Sequence, residues 1–203
     1  MERAMFFIDG FNVYHSLIEN RGFRKYLWLN YSALAKRKIS GQYKLAGIYY
    51  FSAIATWRPD SLLRHRIFIE ALKNENVQVV LGKFKTKAVY CKECNQYFKS
   101  REEKQTDVNI AVNLFKQAAF DNFDVAVLVT NDTDLIPVVK AVKDVYPQKK
   151  IGVLYPFGRW SSELHGACDF TKQTIEKDLA SCQFPEKISL PSGNILKRPR
   201  SYS

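Results

Sequence analysis

Two aspartates sit two residues apart where an apolar run gives out. In LVTNDTDLIPVV, residues 128–139, Asp132 and Asp134 follow Leu128 and Val129 just where a buried strand should end. Asp9 directly follows a second apolar run, AMFFI at residues 4–8, and Asp107 opens a helical pattern after EEKQT. Carboxylates gathered in one place repel one another and raise their own pKa values. In a chain of net charge +11, such a cluster is best explained by a bound cation, and hard oxygen ligands select Mg²⁺ or Mn²⁺ over zinc. On a phosphodiester, that ion activates a water and stabilises the leaving oxygen. Each acid also has a structural use open to it. Aspartate is a common helix N-cap, so Asp107, Asp132 or Asp134 could cap the next helix, and Asp9 with Gly10 could form a turn. Four such coincidences at one edge favour the functional reading.

The elements that must position these acids can be read from the pattern. Apolar runs at 4–8, 45–54, 77–82, 124–130 and 149–156 read as strands. Helical patterns open at DGFNVYHSLIEN, follow Pro59 with Leu62, Leu63, Ile67, Ile69 and Leu72 as the apolar face, and run from 107 to 120 with Val108, Ala111, Val112 and Phe115 on one side. A further helix covers 135–146, with Pro137 in its first turn. Continuous apolar strands alternating with helices imply a doubly wound α/β domain with a mainly parallel, Rossmann-like sheet covered on both faces. Ligands of such sheets bind beyond the carboxyl ends of the strands, where Asp9, Asp132 and Asp134 fall. Residues 83–104 read as a polar hairpin insertion, and residues 184–203 as an extended basic tail.

The stretches FFIDGFNVYHS, EKQTDVNIAVNLFKQA and VLVTNDTDLIPVVKAV, in that order, resemble the NYN domain family of PIN-like metal-dependent ribonucleases. The resemblance implies a PIN-like domain over residues 1–183 and hydrolysis of RNA phosphodiester bonds at a Mg²⁺ or Mn²⁺ site held by Asp9, Asp107, Asp132 and Asp134. It implies further that Asn12 positions the site or the scissile phosphate, and that Thr130 hydrogen-bonds beside it. Two departures stand out. Asn113 takes the place of a second helical aspartate, which weakens the electrostatics and leaves the number of metals open. Asn131 replaces a glycine, a mild change because asparagine tolerates the left-handed conformation.

The charge is unevenly placed. Residues 20–59 carry eight Lys or Arg and no acid, and the hairpin from Lys83 to Lys104 carries seven Lys or Arg against three Glu, interleaved with Phe84, Tyr90, Tyr97 and Phe98. Such a surface suits a polyanionic partner, RNA, with Arg24, Lys25, Lys85 and Lys87 on phosphates and Tyr97 and Phe98 stacking unpaired bases. The alternative is that the charges are solvated and the aromatics pack the hairpin onto the sheet. His15 could contact a phosphate or be a satisfied, half-buried histidine. Cys91 and Cys94, in CKEC, have half the spacing of a zinc ribbon; a structural zinc needs two more ligands, from Cys168, Cys182, His165, His65 or the partner in a homodimer. Otherwise they are free thiols. No signal-peptide pattern and no membrane span are evident, so a cytoplasmic protein is expected. Two rivals to the ribonuclease remain: an RNA-binding module of the same fold that cleaves nothing, supported by Asn113, and a phosphatase acting on small phosphomonoesters.

Overall fold

The computed structural model describes residues 1–202 except Ser40 and Gln42. In chain order the elements are β1 (Arg3–Asp9), α1 (Gly10–Glu19), α2 (Tyr31–Ile39), β2 (Lys44–Ser52), α3 (Pro59–Asn74), β3 (Gln78–Leu81), β4 (Lys83–Cys91) and β5 (Gln96–Lys104). There follow α4 (Thr106–Ala119), β6 (Val125–Val129), α5 (Ile136–Val145), β7 (Lys150–Tyr155), α6 (Ser162–Ala167), β8 (Phe170–Gln173), α7 (Glu176–Ser181), β9 (Lys187–Ser189) and β10 (Ile195–Lys197). Six strands form one parallel sheet in the order β3-β2-β1-β6-β7-β8. The chain winds outward from β1 in one direction, then returns and winds outward from β6 in the other. The carboxyl ends of β1 and β6 therefore flank the crevice at which a doubly wound sheet binds its ligand.

Alternation along β1 builds both halves of the core. Ala4, Phe6 and Ile8 point to the face that holds Trp28, Tyr31 and Phe68. Met5 and Phe7 point to the opposite face, against Phe51, Leu114 and Phe123. All five residues of β6 are buried, as a central parallel strand requires. Two sequence assignments of helix faces are corrected. On α4, Ile110, Leu114 and Ala118 meet the sheet, while Val108 and Val112 are 64% and 57% exposed. Both stripes are apolar at helical spacing, and the one that meets Phe7 and Phe123 is buried. On α3 the buried set is Phe68, Ile69, Ala71 and Leu72, and Leu63 faces solvent.

The hairpin exists as expected, as a separate two-stranded antiparallel unit. The C-terminal segment is not an extended tail. Phe184 and Ile188 enter the core beside Trp28, whose indole N–H donates to the Pro185 carbonyl across 2.9 Å. Strands β9 and β10 pair, and Arg198 donates to the carbonyls of Lys25 and Tyr202, pinning the end of the chain against residues 23–26. The acid-free stretch is also less bare than it reads. Arg37 and Lys38 of α2 both pair with Asp178 of α7, at 2.8 and 2.5 Å. The one acid that neutralises both arrives from far along the chain.

Candidate functional site

Three elements deliver the acids. Strand β1 ends at Asp9, which then caps α1: its Oδ1 accepts the Asn12 N–H at 3.0 Å. The capping role is real, and it aims the carboxylate at the crevice. Gly10 is required here, because a Cβ would lie 2.5 Å from the ring of Tyr50. Beyond β6, the Thr130 hydroxyl donates to Asp9 Oδ2 at 3.0 Å and accepts the Asp132 N–H at 3.0 Å. The Asn12 side-chain oxygen accepts the Asn131 N–H at 3.0 Å. The loop after β6 is thus tied at two points to the strand and helix that carry Asp9. Asp132 in turn accepts the Asp134 N–H at 3.0 Å and caps a short 3-10 turn, Thr133–Leu135. Asn131 does not use the left-handed region; Gln105 does, with φ of 83°, at the sharp entry from β5 into α4 that precedes Asp107.

Asp9, Asp107 and Asp132 converge, each offering a carboxylate oxygen within 4.8 Å of the others. Asp134 lies outside this set and is exposed, although its charge still helps to raise the Asp107 pKa. Asn113 donates to the Asn109 carbonyl at 2.8 Å within its own helix and does not line the cleft. Burial, opposed by the two hydrogen bonds and helped by the charges of Asp107 and Asp132, pushes the Asp9 carboxyl up to about 6. The Asp107 carboxyl is also raised, first by burial and then by Asp132, Glu103 and Asp134. The cleft encloses about 280 Å³.

The donor set fits a divalent cation. It consists of three carboxylates whose like charges are held together at a cost, in a cleft that Asn131, whose buried side-chain oxygen has no hydrogen-bond partner among the described residues, also lines. The carboxylates are hard oxygen donors of the kind Mg²⁺ or Mn²⁺ takes.

Four cleft residues were not singled out from the sequence: Phe11, Glu103, Thr106 and Arg159. Glu103, at the end of β5, accepts from the Thr106 N–H at 3.2 Å and from the Thr106 hydroxyl, fixing the start of α4. Its spacing three residues before a threonine at a helix start was the available signal. Arg159, after β7, reaches the cleft wall and pairs with Glu19; nothing local in the sequence marks it. His15 lines the same cleft, 3.7 Å from Glu19.

The other candidates sit elsewhere. Arg24, Lys25, Lys85 and Lys87 are all exposed, with Lys87 3.4 Å from Glu102. The hairpin aromatics divide. Phe84 packs edge-on against Trp57 and Phe11, whereas Tyr97 and Phe98 at the outer end are 75% and 53% exposed. Cys91 and Cys94 share the hairpin tip, where hydrogen bonds from Cys94 and then Glu93 hold the Cys91 thiol below its usual pKa. No third Cys, His, Asp or Glu joins them among the described residues: Cys182 is in the core, and burial pushes Cys168 up to about 11. Among the described residues no zinc site is completed around Cys91 and Cys94. No helix among the described residues is long and apolar enough to cross a membrane.

Comparison with known proteins agrees with this architecture. A crystal structure of a protein of unknown function from Vibrio parahaemolyticus superposes with a TM-score of 0.61 at 19% identity, covering 86% of this chain and 94% of that one, a likeness of fold. A 6-hydroxy-3-succinoylpyridine 3-monooxygenase of Pseudomonas putida is 26% identical over 242 aligned positions, covering 98% of this chain and 75% of that protein. The sequence model of the NYN domain matches residues 3–176. With the three motifs folded around one crevice, that match places the chain in the NYN domain family, a family of PIN-like nucleases.

Proposed function

We propose that the protein is a metal-dependent ribonuclease whose cation site is Asp9, Asp107 and Asp132. The observation that carries this reading is the convergence of three carboxylates, one of them buried, at the switch point of the sheet in a strongly basic NYN domain. A divalent cation in such a site lowers the pKa of a water and offsets charge on a phosphoryl oxygen. The chain's own residues do the rest. Asp9, Asp107 and Asp132 supply the negative field that draws in the cation. Thr130 and Asn12 hold Asp9 and the loop after β6 in register, so the carboxylates are positioned before any ligand arrives. Arg159 and His15, on the cleft wall, are available to an anionic substrate that enters the cleft. Arg24, Lys25, Lys85 and Lys87 supply non-specific phosphate contacts, and Tyr97 and Phe98 supply faces for unpaired bases. Asp134 acts on the field of the site rather than as a ligand.

The test is incubation with a mixed RNA panel with Mn²⁺ and with chelator, analysed by product ends. Cleavage only with Mn²⁺ supports the reading. RNA binding with no cleavage points to the binding module. Hydrolysis of a generic phosphomonoester without action on RNA points to the phosphatase.

One observation favours a second reading. A largely apolar cavity opens beside the carboxylates, and the Pseudomonas relative is named for oxygenation of a small ring compound. Dioxygen consumption with that pyridine and a two-electron reductant would separate this reading from the ribonuclease.

A further inference from the structure

A largely apolar cavity of the protein does not contain the carboxylates. It lies on the α1–α3 side of the sheet, encloses about 350 Å³ and meets the acidic cleft along Phe11 and His15, which line both. Its volume falls within the ~300–1,000 Å³ typical of small-molecule sites. Its floor is aromatic: Tyr31, Tyr50 and Phe68 are nearly fully buried and pack on one another at 5.5–6.1 Å between ring centroids. Trp57 and Phe84, in edge contact at 4.7 Å, form a wall.

The charge around this apolar space is one-sided. Arg24, Arg58 and Arg64 line it, and no Asp or Glu does. None of the three forms a salt bridge among the described residues, where eleven ion pairs are formed by other groups. Arg64 donates only to the Ser61 hydroxyl at 3.0 Å and to Tyr202, both neutral. His65, next to it, has no hydrogen-bond partner among the described residues, and burial pulls its pKa down to about 4, so it lines the cavity as a neutral imidazole able to donate or accept. Guanidinium groups are the side chains best matched to a planar oxyanion. An aromatic-floored space ringed by unpaired arginines calls for a ligand that is flat, apolar and anionic.

We propose that this cavity binds a planar aromatic group carrying an anion, with its ring over the tyrosine floor and its anionic group on Arg58 and Arg64. Through the shared wall at Phe11 and His15, the ligand is presented to Asp9, Asp107 and Asp132. Two sources have this chemistry: an unpaired nucleotide of an RNA strand, and a free aromatic carboxylic acid. The proposal stands on the cavity alone and does not depend on RNA being cleaved.

The test is calorimetric titration of the full chain in chelator, so that the carboxylate site is silent. The probes are adenosine 5′-monophosphate and uridine 5′-monophosphate in one arm and 3-succinoylpyridine in the other, with adenosine, pyridine and inorganic phosphate as controls. At least one arm is expected to bind at least tenfold more tightly than its uncharged ring and than phosphate alone. Arg58→Gln and Arg64→Gln, each checked for an unchanged thermal midpoint, are expected to weaken that binding at least tenfold. Binding in the nucleotide arm alone makes the source a strand; binding in the pyridine arm alone makes it a free acid. Failure of both arms, or wild-type affinity in both folded arginine variants, overturns the proposal.

Discussion

The Thr130 hydroxyl donates to Asp9 Oδ2 across 3.0 Å, joining the end of β6 to the end of β1 inside the buried wall of the site. Both residues are almost inaccessible, at 1% and 4% exposure. The same hydroxyl receives the Asp132 N–H, so one side chain sets the distance between two of the three carboxylates. Thr130→Val removes both interactions while keeping the shape. It is expected to lower stability by about 1–3 kcal/mol, the cost of leaving buried polar groups unpaired, and to weaken Mn²⁺ binding. Thr130→Ser should restore both. Urea denaturation and Mn²⁺ titration of the three proteins check this; a valine variant with wild-type Mn²⁺ affinity contradicts the positioning role.

The Asp9 carboxyl, at about 6 against 3.8 for an unperturbed group, fixes the sign of a pH dependence. A carboxyl whose native pKa lies above its unfolded value holds its proton more tightly when folded, so ionising it costs stability. The metal-free protein should therefore lose about 3 kcal/mol as pH rises from about 4 to about 6, and no more from this group above that. Asp9→Asn, which keeps an acceptor for the Asn12 N–H, should lack this contribution and keep only the shallower dependence that the raised Asp107 carboxyl adds. Because the proton and a cation compete for the same oxygen, Mn²⁺ stabilisation should grow through the same window in the wild type. Thermal midpoints at several pH values, with and without Mn²⁺, decide it.

Asp132→Asn keeps the acceptor for the Asp134 N–H but removes one of the converging charges. Its melting temperature without metal should rise, and the further rise with Mn²⁺ should vanish. Asp134→Asn, outside the set, should keep most of the Mn²⁺ response. Equal loss in both variants would mean that four carboxylates, not three, hold the ion.

The basic surface makes its own forecast. Neutralising Arg24, Lys25, Lys85 and Lys87 together should weaken binding to all RNA sequences alike and flatten the salt slope by roughly 0.7 per lost contact on single strands. Tyr97→Ala or Phe98→Ala should instead cost about 1–3 kcal/mol per stacked base at an unchanged slope. Anisotropy titrations at several salt concentrations read both. A quadruple variant with the wild-type slope would show that this face is only solvated.

The parallel sheet and the crevice were legible because buried strands announce themselves as continuous apolar runs, and Asp9 and Asp132 mark where two of those runs stop. Asp107 was legible from its place at a helix start. What was not legible depends on the third dimension. The sequence puts Asp134 two residues from Asp132, yet the 3-10 turn that Asp132 caps leaves Asp134 outside the set. Val108 and Val112 match a helical face as well as Ile110 and Leu114 do, and only the position of Phe7 and Phe123 decides between them. Helix α2 hid in a stretch read for its charge, and Asp178, which neutralises Arg37 and Lys38, lies about 140 residues from them. The C-terminal segment reads as an extended basic tail, but Phe184, Ile188 and Tyr202 find Trp28 and its neighbours. The arginine-ringed cavity is assembled from α1, the 23–26 turn, α3, the hairpin and the chain end, so no local pattern could reveal it.

The most direct measurement is single-turnover cleavage of a labelled single-stranded RNA by the wild type, Asp132→Asn and Asp134→Asn, each in Mn²⁺ and in chelator. The wild type should cleave only with Mn²⁺. Asp132→Asn should be slower by at least about a hundredfold, the scale on which a group stabilising transition-state charge is felt, and Asp134→Asn should fall between them. Cleavage that survives in chelator, or an Asp132→Asn protein that cuts at the wild-type rate, would contradict a cation site built on Asp9, Asp107 and Asp132.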